Sequence, residues 1–141
     1  MRAYKYIFTV LLGTWSLVAL SLERTILLGP KTIGKAWKDN ILIEPRHFAS
    51  AKAGDVLTVY NDHAKGMAQA AFQHPKTWQG VAPEYGCFGF AGPFRMTLSD
   101  SILNIARTYG VILGGHDYRI LRVTLSEASD YEETIVWSGP A

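Results

Sequence analysis

The chain has 141 residues, 48% of them hydrophobic and 18% charged, which is room for one globular domain and excludes an extended disordered chain. Fourteen Lys and Arg stand against twelve Asp and Glu. Two of those cations, Arg2 and Lys5, belong to a leader-like start, and without them the charges balance, which argues against nucleic acid as a partner.

Arg2 and Lys5 precede an uncharged run from Tyr6 to Leu22 that contains Ala19-Leu20-Ser21, a small-x-small cleavage signature. Residues 1–21 therefore read as a secretory signal peptide, with an uncleaved membrane anchor as the alternative. No cysteine follows the run, which disfavours a lipid anchor. After cleavage no stable membrane span is expected, and the chain is exported to the periplasm, cell surface or extracellular space. Cys87 is the single cysteine, so the fold has no internal disulfide and must rest on its core, in which Cys87 itself is expected as a small buried residue.

Arg24-Thr25-Ile26-Leu27-Leu28 is a short β-type run that Gly29-Pro30 should stop. A turn-rich piece from Lys31 to Asp39 carries Trp37. Asn40 to Phe48 reads as a strand with Ile41 and Ile43 on one face, ended by Pro45 at an edge or bulge. Ala51-Lys52-Ala53-Gly54-Asp55 is a turn into the strand Val56 to Tyr60. Met67 to Gln73 has the alanine content of a helix, yet Ala68, Ala70 and Phe72 alternate with Gln69 and Gln73 at strand period, and Gly66 and His74-Pro75 leave too little length for a helix. Lys76 to Gly92 is loop-like, and Phe88 and Phe90 within it extend the strand that reaches Leu98.

The stretch from Phe94 to Leu125 is the best marked. Phe94, Met96 and Leu98 alternate with Arg95 and Thr97, Ser99 and Asp100 cap a helix over Ser101 to Thr108, and Gly110 ends it. Val111-Ile112-Leu113 resumes an extended run, Gly114-Gly115 supplies a turn or bulge, and Arg119, Leu121, Val123 and Leu125 share one face of a long strand. Seven or eight short strands, one helical turn, and glycine or proline about every 8 to 12 residues predict an all-β fold, an antiparallel β-sandwich. Thr134-Ile135-Val136-Trp137-Ser138-Gly139-Pro140 echoes Thr25 to Pro30. Either two short strands share a chance ending, or residues 132–141 begin a second copy of the module. The module itself then covers 22–131.

Several pieces together resemble a known family: Trp37 before a strand, Phe48-x-x-Ala51-Lys52-Ala53-Gly54-Asp55 before another, Trp78 in the central loop, Phe94-x-Met96-Thr97-Leu98, Tyr109-Gly110-Val111-x-Leu113-x-Gly115, and Val123-Thr124-Leu125. They are similar to the jelly-roll, galactose-binding-like (carbohydrate-binding-module-like) modules of secreted and surface glycan-processing proteins of Bacteroidetes. The resemblance runs from about Thr25 to Glu127, and its motifs mark a fold more than a ligand. It implies a jelly-roll sandwich with one short helix and an accessory, non-catalytic role. A structural calcium is common in such modules, but no loop here has the acidic spacing of a strong site, so neither metal nor cofactor is expected.

Residue chemistry agrees with the absence of catalysis. His47, His63, His74 and His116 form no ligand pair, no nucleophile elbow exists, and the acids fall mainly in turns. For binding, if Phe72, Met96 and Leu121 point inward, then Gln69, Gln73, Arg95, Thr97 and Arg122 point outward. Amide and guanidinium groups grip sugar hydroxyls while an aromatic ring stacks on a pyranose face. The candidate ligand-binding residues are thus Trp37, Gln69, Gln73, Trp78, Arg95 and Arg122, with Tyr85 also at the rim. The expected partner is a polysaccharide or oligosaccharide. The rival expectation is a structural module that meets a surface protein through its edge strands.

Overall fold

The computed structural model describes residues 23–64 and 66–127. Eight strands are formed among them: β1 (Arg24–Ile33), β2 (Asn40–Ile43), β3 (Val56–Asp62), β4 (Gln69–Gln73), β5 (Phe88–Gly89), β6 (Phe94–Thr97), β7 (Val111–His116) and β8 (Tyr118–Ser126). The first sheet has the order β1-β8-β3-β6 and the second β2-β7-β4-β5, with every pairing antiparallel. Consecutive strands alternate between the sheets except β4 and β5, which pair within one. This is an all-β sandwich wound as a jelly roll.

The core lies between the sheets. Leu57, Val59, Met96, Ile120, Val123 and Leu125 face it from the first sheet, and Ile43, Phe72, Val111 and Leu113 from the second. Aromatic rings join the layers: Phe72 of β4 meets Phe94 of β6 in an edge contact at 5.7 Å across the sandwich, while within the sheets Phe72 stacks on Phe88 at 5.9 Å and Phe94 makes an edge contact with Tyr118 at 5.9 Å, all between ring centroids. Among the described residues one α-helix forms, α1 (Asp100–Tyr109), which buries Ile102, Leu103 and Ala106. Ser99 Oγ accepts the Ile102 N–H at 3.2 Å as its N-cap. Gly110, at φ 87°, ends the helix, and a β-carbon there would approach the Ile43 carbonyl oxygen to 2.5 Å, so no other residue fits. Arg107 donates to the carbonyls of Phe48 and Ala51, tying α1 to the turn at Pro45–Phe48 and closing one end of the sandwich.

Several expectations change. Gly29-Pro30 does not stop β1, which runs on to Ile33 through a cis peptide and a register shift between Leu28 and Lys31. An edge strand tolerates this, because only one of its sides must pair. Directly across from the shift, β8 carries an extra residue relative to β3, whose Tyr60 pairs with Arg122 and Asn61 with Ile120. Leu121 is the residue left over. A bulge of one residue reverses the alternation, so Ile120 is fully buried while Leu121 is 38% exposed, the opposite of the expected phase.

The strand expected over Asn40 to Phe48 stops at Ile43, since Pro45 opens a 3-10 turn. Phe88 does not extend β6: β5 pairs with β4 in the other sheet. Gly114 and Gly115 lie inside β7 in regular register with β4 rather than in a turn. At Gly115, φ 131°, a β-carbon would run into the Gln69 carbonyl, which explains that glycine. Cys87 is exposed, not buried. The signal peptide 1–21 and the repeat in 132–141 lie outside the described residues.

Candidate functional site

Register assigns each outward side chain to a row. On the second sheet Gln69 pairs with His116 and Gly89, Ala71 with Gly114, which also pairs with Asn40, and Gln73 with Ile112, which also pairs with Leu42. Residues directly opposite share a face, and Phe72, Leu113 and Ala70 between them are buried in the core. The outer face therefore has a middle row of Asn40, Gly114 and Ala71, low in side-chain bulk, between two rows of larger groups. Gln73 reaches over this floor, since a β-carbon on Gly114 would lie 3.0 Å from Gln73 Oε1.

Each end of the face carries a tryptophan. Trp37, in the loop between β1 and β2, makes a T-shaped ring contact with His116, centroids 5.7 Å apart. Trp78 follows β4, and its carbonyl accepts from Gln73 Nε2 at 2.9 Å while its N–H donates to the His74 carbonyl at 2.8 Å. Trp37 is 40% exposed and Trp78 53%. Both hold left-handed backbones, φ 59° and 64°, a conformation that costs a bulky residue and that persists only when surrounding bonds enforce it. Four strand steps separate Gln69 from Gln73 along β4, so the end rows lie about 13 Å apart at the usual rise per strand residue. That is a span for a few sugar rings.

At the Trp37 end, His116 Nδ1 lies 2.5 Å from Asp117 Oδ2 and Nε2 lies 3.2 Å from Gln69 Oε1. The hydrogen bond from His116, with the charge of Lys35 Nζ 3.6 Å away, holds the Asp117 carboxyl below the usual carboxylate range. At the Trp78 end, His74 and Tyr109 pack at 5.0 Å and the Lys76 ammonium stands over the Tyr109 ring at 5.3 Å.

Of the six candidates, Gln69 and Gln73 stand on this face, Trp37 packs against its His116, and Trp78 is bonded to its Gln73. Arg95 and Arg122 do not join them: β6 and β8 belong to the first sheet, whose outer side looks the other way. There Arg122 stacks over Tyr60 at 4.3 Å, and Glu23 accepts from the Tyr60 hydroxyl at 2.8 Å and from Thr124 Oγ1 at 2.9 Å. Burial first, and the Glu23 carboxylate second, push the Tyr60 hydroxyl up. Tyr85 leaves the rim for the core, edge-on to Phe72 at 5.8 Å. Asn40, Leu42, His74, Tyr109 and His116 were not candidates on sequence. His116 is one strand step beyond Gly115, but its neighbour Gln69 is 47 residues away, and only strand pairing reveals it.

Among the described residues no group of three or more His, Cys, Asp or Glu could hold a metal ion, and no helix is long and apolar enough to cross a membrane. No family model matches the chain, and no curated protein does. A solved structure is similar: SGBP-B of the Bacteroides ovatus mixed-linkage glucan utilization locus, in complex with a mixed-linkage heptasaccharide, with a TM-score of 0.61 and 21% identity over 74% of this chain. The likeness extends over 30% of that protein's chain, less than a third of its length. At this identity it establishes the β-sandwich fold.

Proposed function

We propose that this chain is an exported, non-catalytic module that binds glycan on the outer face of the second sheet, as an accessory to a glycan-processing system. The observation that carries the reading is the pair of exposed tryptophans, each in an enforced left-handed backbone, at opposite ends of one face with a glycine and alanine floor. Rings of this kind stack on pyranose faces, and Gln69, Gln73 and Asn40 supply planar donors and acceptors for hydroxyls. The fold shared with a protein solved in complex with a heptasaccharide supports the same chemistry. Export rests on the basic start, the uncharged run and Ala19-Leu20-Ser21.

The test is a glycan array on the chain without residues 1–21, followed by titration of any hit with Trp37→Ala and Trp78→Ala. Each substitution should weaken binding by about 1 kcal/mol or more, as interface anchors do, with the melting temperature nearly unchanged. Binding lost in proportion to stability would return both rings to a structural role. A clean negative over diverse polysaccharides would favour the rival, a surface module that docks a protein. Sequencing the N-terminus of exported protein tests cleavage after Ser21; a chain still starting at Met1 in the membrane fraction would make the leader an anchor.

A further inference from the structure

Gln69 stands on the candidate face beside Trp37, and its carboxamide can turn either its oxygen or its NH2 outward. The heavy-atom outline is the same in both orientations, so the neighbour's protons decide. That neighbour is His116. Its Nδ1 lies 2.5 Å from Asp117 Oδ2, and an ionised carboxylate only accepts, so Nδ1 carries hydrogen. The second proton of the imidazolium is then the one on Nε2, which faces the Gln69 amide at 3.2 Å.

We propose that His116 is a positioning residue that sets which hydrogen-bonding group Gln69 offers to a ligand on this face. With Nε2 protonated, it donates to Gln69 Oε1 and the amide NH2 points outward. When Nε2 gives its proton to solvent it becomes an acceptor, the amide turns to donate to it, and Oε1 points outward. A sugar hydroxyl pairs with either state. A sugar carboxylate only accepts, and is matched by the NH2 state alone. The face therefore favours acidic sugars at low pH and loses that preference as His116 is neutralised.

The groups around the ring allow this. The Trp37 ring packs against the imidazole in a T-shaped contact. From β4 comes the neutral Gln69. The loops contribute Asp117, Lys35 at 3.6 Å from Asp117, and Asp39, whose carboxylate is engaged by the Gly34 N–H at 2.8 Å. Asp117, at φ 64°, is a residue type that tolerates the left-handed conformation and so keeps its carboxylate against Nδ1.

The inference rests on the glycan reading for its meaning, but its test needs no glycan, so the two can fail separately. The full chain, labelled with nitrogen-15, is titrated by NMR between about pH 5 and 8.5, the range in which histidine changes charge. His116 Nδ1 should remain protonated throughout, Nε2 should titrate, and the Gln69 side-chain NH2 signals should move with the same midpoint. In Asp117→Asn, whose amide can donate or accept, the neutral ring should become a tautomer mixture and the Gln69 response should shrink. In Gln69→Glu, the new carboxylate beside Nε2 should raise the His116 midpoint by about one unit or more. Gln69 is exposed, so that variant should fold, and its melting curve checks this. A neutral His116 with its proton on Nε2 would overturn the proposal. So would Gln69 signals that stay still through the His116 titration, or an unchanged midpoint in folded Gln69→Glu.

Discussion

The bulge in β8 makes an unusually sharp prediction, because it inverts the roles of two adjacent aliphatic residues. Ile120 has no exposed surface, whereas Leu121 is 38% exposed. Ile120→Ala removes three buried carbons, worth about 2.4 kcal/mol at the usual 0.8 per methylene, and adds a cavity term, so a loss of about 2 to 5 kcal/mol is expected. Leu121→Ala should lose about 1 kcal/mol or less, since much of its side chain already meets water and no cavity closes around it. Urea unfolding of both variants and the parent decides the matter, with equal m-values required before the free energies are compared. A loss at Leu121 equal to that at Ile120 would refute the bulge. It would also reverse the assignment of residues 118 to 121 to their faces.

Gly115→Ala should destabilise by about 3 kcal/mol or prevent folding, since its β-carbon meets the Gln69 carbonyl and its φ is 131°, while Gly89→Ala, with nothing within 4 Å, should fall within about 0.5 kcal/mol; thermal melts compare them. Tyr118 is buried and donates to the Gly114 carbonyl at 2.7 Å, and burial pushes its hydroxyl up from 10.0. A phenol is charged only when deprotonated, so the folded chain keeps a proton that the unfolded chain releases. The stability from this residue is present below about pH 10 and is lost as pH rises above it toward the folded value, a loss that Tyr118→Phe should not show in alkaline melts.

The sequence announced most of the sandwich because strand period and helix caps are local signals. Phe94, Met96 and Leu98 face inward as their alternation requires, and Ser99 caps α1. Two kinds of information were missing. A bulge is an insertion of one residue with no residue type of its own, so Leu121, flanked by Ile120 and Arg122, gave no warning of the phase change. Nor does alternation say which sheet a strand joins. Gln69 and Arg122 are both correctly outward, yet β4 and β8 lie in different layers, and an outward side on each cannot make one site. Conversely, Trp37, His116 and Gln69 form one cluster from three distant segments, which only the pairing of β7 with β4 and the adjoining β2 brings together.

The division between faces gives the last prediction. On the first sheet's outer side the polar groups are already satisfied by each other: Glu23 takes the hydroxyls of Tyr60 and Thr124, and the Arg122 guanidinium covers the Tyr60 ring. Thr58 and Thr124 are buried beneath them. A ligand there would have to displace intramolecular partners for little net gain, since each bond formed replaces one that exists. On the second sheet's outer side Gln69 and Gln73 also hold intramolecular partners, but Trp37 and Trp78 at its two ends are exposed and can stack on a ligand without displacing a hydrogen bond. Arg122→Ala should therefore leave affinity for any glycan bound by the parent unchanged within about twofold, and should cost about 0.5 to 1 kcal/mol of stability through the lost cation–π contact. Calorimetric titration and urea unfolding of that single variant read the two quantities separately. A tenfold loss of affinity with stability intact would move the glycan to the first sheet and end the case for the tryptophan face.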